Sequence, residues 1–155
     1  MRVMALDVGD RRIGVAISDP TGLIASPLAI LHRRREQEDL QAIAQLVSEH
    51  SVDRIVIGLP RTLRGELGPQ AQRVMRFGEH LARVVSVPVL YWDERHSTVE
   101  AEEIVRARRG PGRRDRRAAV DDVAAAVILQ SYLDARRSGS PDGGRGETPW
   151  LAGED

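Results

Sequence analysis

Apolar residues fill positions 3–8 and 13–17 on either side of a polar, glycine-bounded break, Gly9-Asp10-Arg11-Arg12. This pattern predicts two antiparallel strands joined as a hairpin. Strand side chains alternate faces, so Val3, Ala5 and Asp7 share one side while Met4, Leu6 and Val8 share the other. Asp7 therefore closes an apolar row. An ionised carboxylate there needs a cation, a metal or several donors; alternatively Asp7 ends its strand by accepting hydrogen bonds from the turn. Both readings stand on this stretch alone.

Further along, residues 23–31 are apolar and strand-like, but Pro27 cannot donate to a ladder, which predicts an edge strand or a break. Leu40, Ile43, Ala44 and Val47 recur at helical spacing between Asp39 and His50. The near-continuous apolar run from 53 to 60 predicts a strand covered on both faces. A loop from Arg61 to Gly68 leads into a helix from about Pro69 to Val85, and residues 87–92 make another strand. Asp93-Glu94-Arg95-His96 follows directly. Ser97-Thr98-Val99-Glu100 has the spacing of a capping box, which starts a helix at Ser97 that runs to about Arg108. An Arg-rich loop around Gly110-Pro111-Gly112 precedes a last helix from about Arg117 to Arg136.

Three strands without intervening helices, then strands separated by helices, predict an α/β fold. Its sheet is mixed and five-stranded, an antiparallel meander followed by parallel strands, and is flanked by helices. Residues 1–137 form the domain. From 138 to 155 the composition turns to Gly, Pro, Ser and charge, which predicts a disordered tail.

Composition narrows the chemistry. The chain has 155 residues, enough for one core, and no Cys, so a metal site would have to use oxygen or imidazole. No apolar run approaches a membrane span and no leader is evident, which predicts a cytoplasmic protein without membrane contact. Aromatic residues make up 3%, against recognition by base stacking. All 23 basic residues are Arg, balanced by 23 acidic ones, so net charge announces no polyanion. Codon usage accounts for Arg in place of Lys but not for clustering, and seven Arg fall between Arg106 and Arg117.

The carboxylates carry the sharper signal. Glu94 sits at the carboxyl end of the last strand, where ligands gather in such sheets. Asp121 and Asp122 fall in the first turn of the predicted final helix, where acids also serve to offset the helix dipole. Asp121, Ala125, Ile128 and Tyr132 form one stripe, so Asp121 faces the sheet and Asp122 lies about 100° away. Asp7, Glu94 and Asp121, brought to one edge of the sheet, would repel one another without a cation between them. An all-oxygen set suits Mg²⁺ or Mn²⁺ as cofactor, and such ions promote phosphodiester hydrolysis. Arg95, Arg109, Arg113, Arg114, Arg116 and Arg117 are the candidate phosphate contacts, a solvated basic loop being the bland alternative. Arg61, Arg64, Arg73 and Arg76 extend the basic surface. His96 reads as a loop histidine or a proton carrier, and Tyr132 as core.

Leu6-Asp7-Val8-Gly9, Arg12 to Asp19, Pro27-Leu28, Ile57-Gly58-Leu59-Pro60, Trp92-Asp93-Glu94-Arg95, Val120-Asp121, Ala124-Ala125 and Ile128 to Leu133 come in one order. In that ordered set the sequence resembles the YqgF family of Holliday-junction-resolvase-like proteins, also described as proposed pre-16S rRNA nucleases. The resemblance implies an RNase H-like fold, a divalent-metal nuclease with its acidic site on Asp7, Glu94 and Asp121, and a role at the 5′ end of 16S rRNA. Asp10 and His96 depart from the family pattern, and so does the tail. Nucleic acid is thus the expected partner, as pre-rRNA or branched DNA, with a monomer or weak homodimer as the assembly. Alternatives from other classes are a DNA junction resolvase and a non-catalytic RNA-binding assembly factor. An actin-like or sugar-kinase fold has a similar first hairpin, but needs two such domains where the chain has length for one.

Overall fold

The computed structural model of the chain describes residues 1–97, 99–109, 123–138 and 150–151. Its six-stranded sheet runs across the strands Ala25–His32, Arg12–Ser18, Val3–Val8, Arg54–Leu59, Val89–Asp93 and Trp150–Leu151 in that order. The hairpin strands β1 (Val3–Val8) and β2 (Arg12–Ser18) pair antiparallel, with Asp7 opposite Gly14. Gly9 closes the turn by donating from its N–H to Arg12 O at 2.9 Å. β3 (Ala25–His32) lies at one edge, antiparallel to β2. The ladder slips between Val15 and Ala16, opposite Pro27 and Ala29. The proline thus leaves its strand intact and is absorbed as a bulge on an edge.

On the other side of β1, β4 (Arg54–Leu59) and β5 (Val89–Asp93) add in parallel, so β1, β4 and β5 all point their carboxyl ends to one edge. The helices α1 (Glu36–Glu49) and α2 (Pro69–Val84) cover one face of the sheet, while α3 (Val99–Arg109) and α4 (Ala124–Arg137) lie on the other. Alternation along β1 divides the core as expected. Met4 and Leu6 join Ile43, Phe77 and Leu81, whereas Val3 and Ala5 join Ala125, Leu129 and Tyr132. Each fully buried aliphatic side chain contributes about 1.5–3 kcal/mol. Among the described residues no helix is long and apolar enough to cross a membrane.

Several expectations are corrected. α1 starts at Glu36, not Asp39, because Asp39 is buried inside it and accepts from Arg33 Nε at 2.9 Å and from the Arg34 N–H at 3.0 Å. The helix predicted from Ser97 begins at Val99, since Glu94–His96 first form a 3₁₀ turn capped by Asp93, whose carboxylate accepts from the Arg95 N–H. α4 begins at Ala124, with Val123 at its N-cap, rather than at Arg117. Asp121 and Asp122 therefore precede the helix in sequence. Of the expected tail, residues 139–149 and 152–155 lie outside the described residues, while Trp150–Leu151 pair antiparallel with Tyr91 and Leu90 as β6. That short strand occupies backbone groups on β5 that an open edge would leave unpaired.

Candidate active site

Asp7 is carried on β1 where that strand nears its end, on the α4 side of the sheet. It is half-buried, and its place among neighbours is set by two small residues. A Cβ at Gly14 would lie 3.7 Å from Asp7 Cβ and 3.6 Å from Ala125 Cβ, so the first turn of α4 packs directly over the Asp7–Gly14 pair. Glu94 arrives from β5, immediately after Asp93. Its room is made by Gly58 on β4, where a Cβ would sit 2.6 Å from Ile128 Cδ1 and 3.2 Å from Glu94 Cγ. A glycine inside an otherwise apolar strand is thus explained by the close approach of α4 and of Glu94.

The electrostatics tie the two acids together. Burial, and after it the charges of Asp7 and then Asp93, together push the Glu94 carboxyl up to about 7. Asp93 behaves oppositely. It is also buried, which opposes ionisation, but side-chain and backbone hydrogen bonds from Arg95, with the charges of Arg95 and Arg61, hold it below the usual carboxylate range. Arg95 Nη2 donates to Asp93 Oδ2 at 2.7 Å, and Arg61 Nε stands 2.8 Å from the same oxygen. Arg61 Nη1 also donates to Gly65 O at 2.9 Å. Gly65 has φ +81°, and a Cβ there would come within 2.8 Å of Arg95 Nη1. The loop after β4 and the turn after β5 are in this way clamped around Asp93, next to Glu94. Of two adjacent acids at a strand end, one is neutralised by arginines and the other is left near a second carboxylate.

Asp121, Arg113, Arg114, Arg116 and Arg117 lie outside the described residues, as does the Arg109 side chain. Asp121 precedes the first residue of α4 by three positions in sequence. Among the described residues, no group of three His, Cys, Asp or Glu side chains forms a metal cage, and Asp7 with Glu94 is the acidic pair at this edge. Arg95, expected at phosphates, is engaged by Asp93 while its side chain stays half-exposed. His96 packs on Trp92 with ring centroids 4.9 Å apart. Tyr132 is core, accepting from Arg54 Nη1 at 2.7 Å. A cavity of about 440 Å³ opens beside Glu94 between α3 and α4, bordered by Ser97, Arg106, Val127 and Ile128. Gly58, Gly14 and the Arg61–Asp93 pair also shape the site, beyond the residues expected from sequence. Gly58 was visible as a break in an apolar run; the pairing of Arg61 with Asp93 depends on the register of β4 against β5 and left no local trace.

The profile of the RuvX Holliday junction resolvase family matches residues 1–135. The chain belongs to that family. Among its relatives is a protein of Thermoanaerobacter pseudethanolicus, 46% identical over 89% of this chain and 99% of its own length. Another, from Gloeobacter violaceus, is 50% identical over 87% of this chain and 85% of its own. Both carry the name "Putative pre-16S rRNA nuclease". In fold, this RuvX chain is similar to Thermus thermophilus RuvC solved with a Holliday junction substrate (TM-score 0.67, 15% identity, 97% of this chain and 99% of that one). It is also similar to the fowlpox virus Holliday junction resolvase (TM-score 0.52, 15% identity, 86% and 99%). The expected RNase H-like, mixed α/β architecture is therefore the one found.

Proposed function

We propose that this RuvX chain is a metal-dependent nuclease that hydrolyses phosphodiester bonds, with the 5′ end of pre-16S rRNA as its substrate in ribosome biogenesis. The observation that carries the reading is the pairing of Asp7 with Glu94 at the carboxyl edge of the parallel strands, in a family whose relatives bear a nuclease name. The donor set fits a hard cation. Two carboxylates held close in a partly buried place repel each other, and all-oxygen ligands suit Mg²⁺ or Mn²⁺. Asp7 and Glu94 would hold the ion, with Asp121 as the third acid. When bound, such an ion offsets phosphate charge and eases attack by water.

The chain's own residues do the rest. Glu94 must give up its proton to serve as a ligand, and a value near 7 leaves it poised to do so at neutral pH. Asp93, neutralised by Arg61 and Arg95, fixes the turn from which Glu94 projects. Arg95, with Arg109, Arg113, Arg114, Arg116 and Arg117, supplies cations for the phosphates flanking the cut. The protein acts in the cytoplasm, as a monomer or weak homodimer.

The family's description favours a second reading, cleavage of a DNA four-way junction. Purified protein is incubated with precursor rRNA and with a DNA junction, each with Mg²⁺, Mn²⁺ or chelator. Metal-dependent cutting of the RNA, lost in Asp7→Asn, is the expected result. Cutting of the junction alone would reassign the substrate. No metal-dependent cleavage of either, with wild type and Asp7→Asn alike, would overturn the enzyme reading and leave a non-catalytic RNA-binding factor.

A further inference from the structure

On the opposite face of the sheet, the residues that follow Asp7 lead into a second feature. Val8, Gly9 and Asp10 form one wall of a groove of about 340 Å³ whose other walls are the start of α1 and the first half of α2. Arg33, Arg34, Arg73, Arg76 and His80 line it. Arg33 is a fixed strut. It donates to Asp39 Oδ2 at 2.9 Å and to Gly9 O at 2.8 Å, and its guanidinium lies 5.2 Å from the centre of the Phe77 ring. His80 is engaged by Glu36.

Arg34, Arg73 and Arg76 differ. All three are exposed, and among the described residues none has a carboxylate partner for its side chain. The first turn of α2 carries no acidic residue to offset its helix dipole either. Three unpaired guanidinium groups around a concave surface form a fork-shaped match for phosphate oxygens. The position narrows the ligand. From Asp7 to Gly9 the chain advances about 7 Å at the rise of a strand, so the groove starts close to the acidic pair but across the sheet edge from it.

We infer that this groove is a second phosphate-binding track, which holds the backbone of the nucleic-acid strand flanking the bond that Asp7 and Glu94 address. The inference rests on the nuclease reading and deepens it, because the substrate must then extend around the end of β1 and not merely reach one face. Asp10, an acid at the mouth of the groove, opposes that binding and tunes it.

Binding of a short fluorescein-labelled single-stranded RNA, and of DNA of the same sequence, is measured by anisotropy across a salt series in chelator, so that no bond is cut. The proteins are wild type, Arg73→Gln/Arg76→Gln, Asp10→Asn, and Arg137→Gln as a charge control at the far end of α4. Gln keeps helix propensity, so the variants should fold. On a single strand each lost phosphate contact makes the slope of log K against log salt shallower by about 0.7. The double variant is expected to lose about 1.4 in slope, Asp10→Asn to bind more tightly, and Arg137→Gln to match wild type. An RNA-only effect assigns the track to RNA; equal effects assign it to the shared phosphate backbone. A double variant with the slope of wild type, or a wild type that binds neither strand, overturns the track. Shifted slopes in a protein that cleaves nothing would overturn the nuclease reading and leave the track standing.

Discussion

Asp7 and Val8 are consecutive residues of one strand, yet they face different layers of the molecule. On the α4 side, Asp7 meets Glu94 in a place where negative charge is crowded and partly shielded from water. On the α1–α2 side, Val8 opens onto a groove lined by exposed arginines. The same alternation that splits the core into two layers thus splits the active edge into an acidic side, suited to a cation and chemistry, and a basic side, suited to holding a polyanion. The first side is built from half-buried, mutually constraining groups, and the second presents exposed arginines that are independent of one another. Damage to the acidic side should therefore act on rate and on metal, in an all-or-none manner, while damage to the basic side should act on affinity in small, additive steps.

The largest break in that contrast comes from Asp7→Asn. Removing one ligand to the cation should cost several kcal/mol of transition-state stabilisation, about a thousand-fold in single-turnover cleavage, with RNA affinity in chelator unchanged. The variant should at the same time be more stable than wild type at neutral pH, because Glu94 then ionises beside one like charge fewer, only Asp93 remaining. Each unit by which its value falls corresponds to about 1.4 kcal/mol. Urea unfolding at pH 7 measures this, and a destabilised variant would count against repulsion between the two acids.

Gly58→Ala comes next. The added methyl would meet Ile128 Cδ1 and Glu94 Cγ, so overpacking of about 1–3 kcal/mol is expected. Cleavage should be impaired beyond what the stability loss explains. A second change, Ile128→Val, should recover part of the stability, since the closest clash is with the end of a side chain. Unfolding and rate measured on the single and double variants decide whether the two losses separate.

The sharpest contrast in pH dependence belongs to Glu94. Its folded value of about 7 lies above the ordinary 4.5, so between those values the folded chain holds a proton that the unfolded chain has released. This group's contribution to stability is therefore fully present below pH 4.5 and is lost as pH rises towards 7. Metal binding runs the other way and should strengthen as pH rises through 7, because only the carboxylate is a ligand. The smallest effects are those of the groove arginines, one increment of salt dependence each. If neutralising Arg73 and Arg76 abolished cleavage at saturating RNA, the division between the two sides would be wrong.

Much of this edge was legible in the residues themselves. An acid at the end of an apolar strand row and another directly after a strand are local patterns, and the order of strands and helices places both at one edge. What could not be read locally were the features set by long-range register. Asp93 and Glu94 look alike in sequence, and it is the fold of Arg95 back onto Asp93, with the approach of Arg61 from the loop after β4, that leaves one neutralised and the other crowded. The groove likewise joins Arg33 and Arg34, on the connection before α1, to Arg73 and Arg76 on α2, and on α2 alone the latter pair reads as an ordinary solvated face. The start of α4 was misplaced because Ala118 and Ala119 continue the alanine-rich helical pattern upstream of the observed N-cap at Val123.

The central claim is that Asp7 and Glu94 act as one site for a hard divalent cation. Calorimetric titration of Mn²⁺ into wild type and Asp7→Asn, each at pH 6 and pH 8, tests it most directly. Tighter binding to wild type at pH 8 than at pH 6, with protons released at the lower pH, and little binding to the variant at either, is the predicted result. Equal Mn²⁺ binding by both proteins, with no dependence on pH, would contradict it.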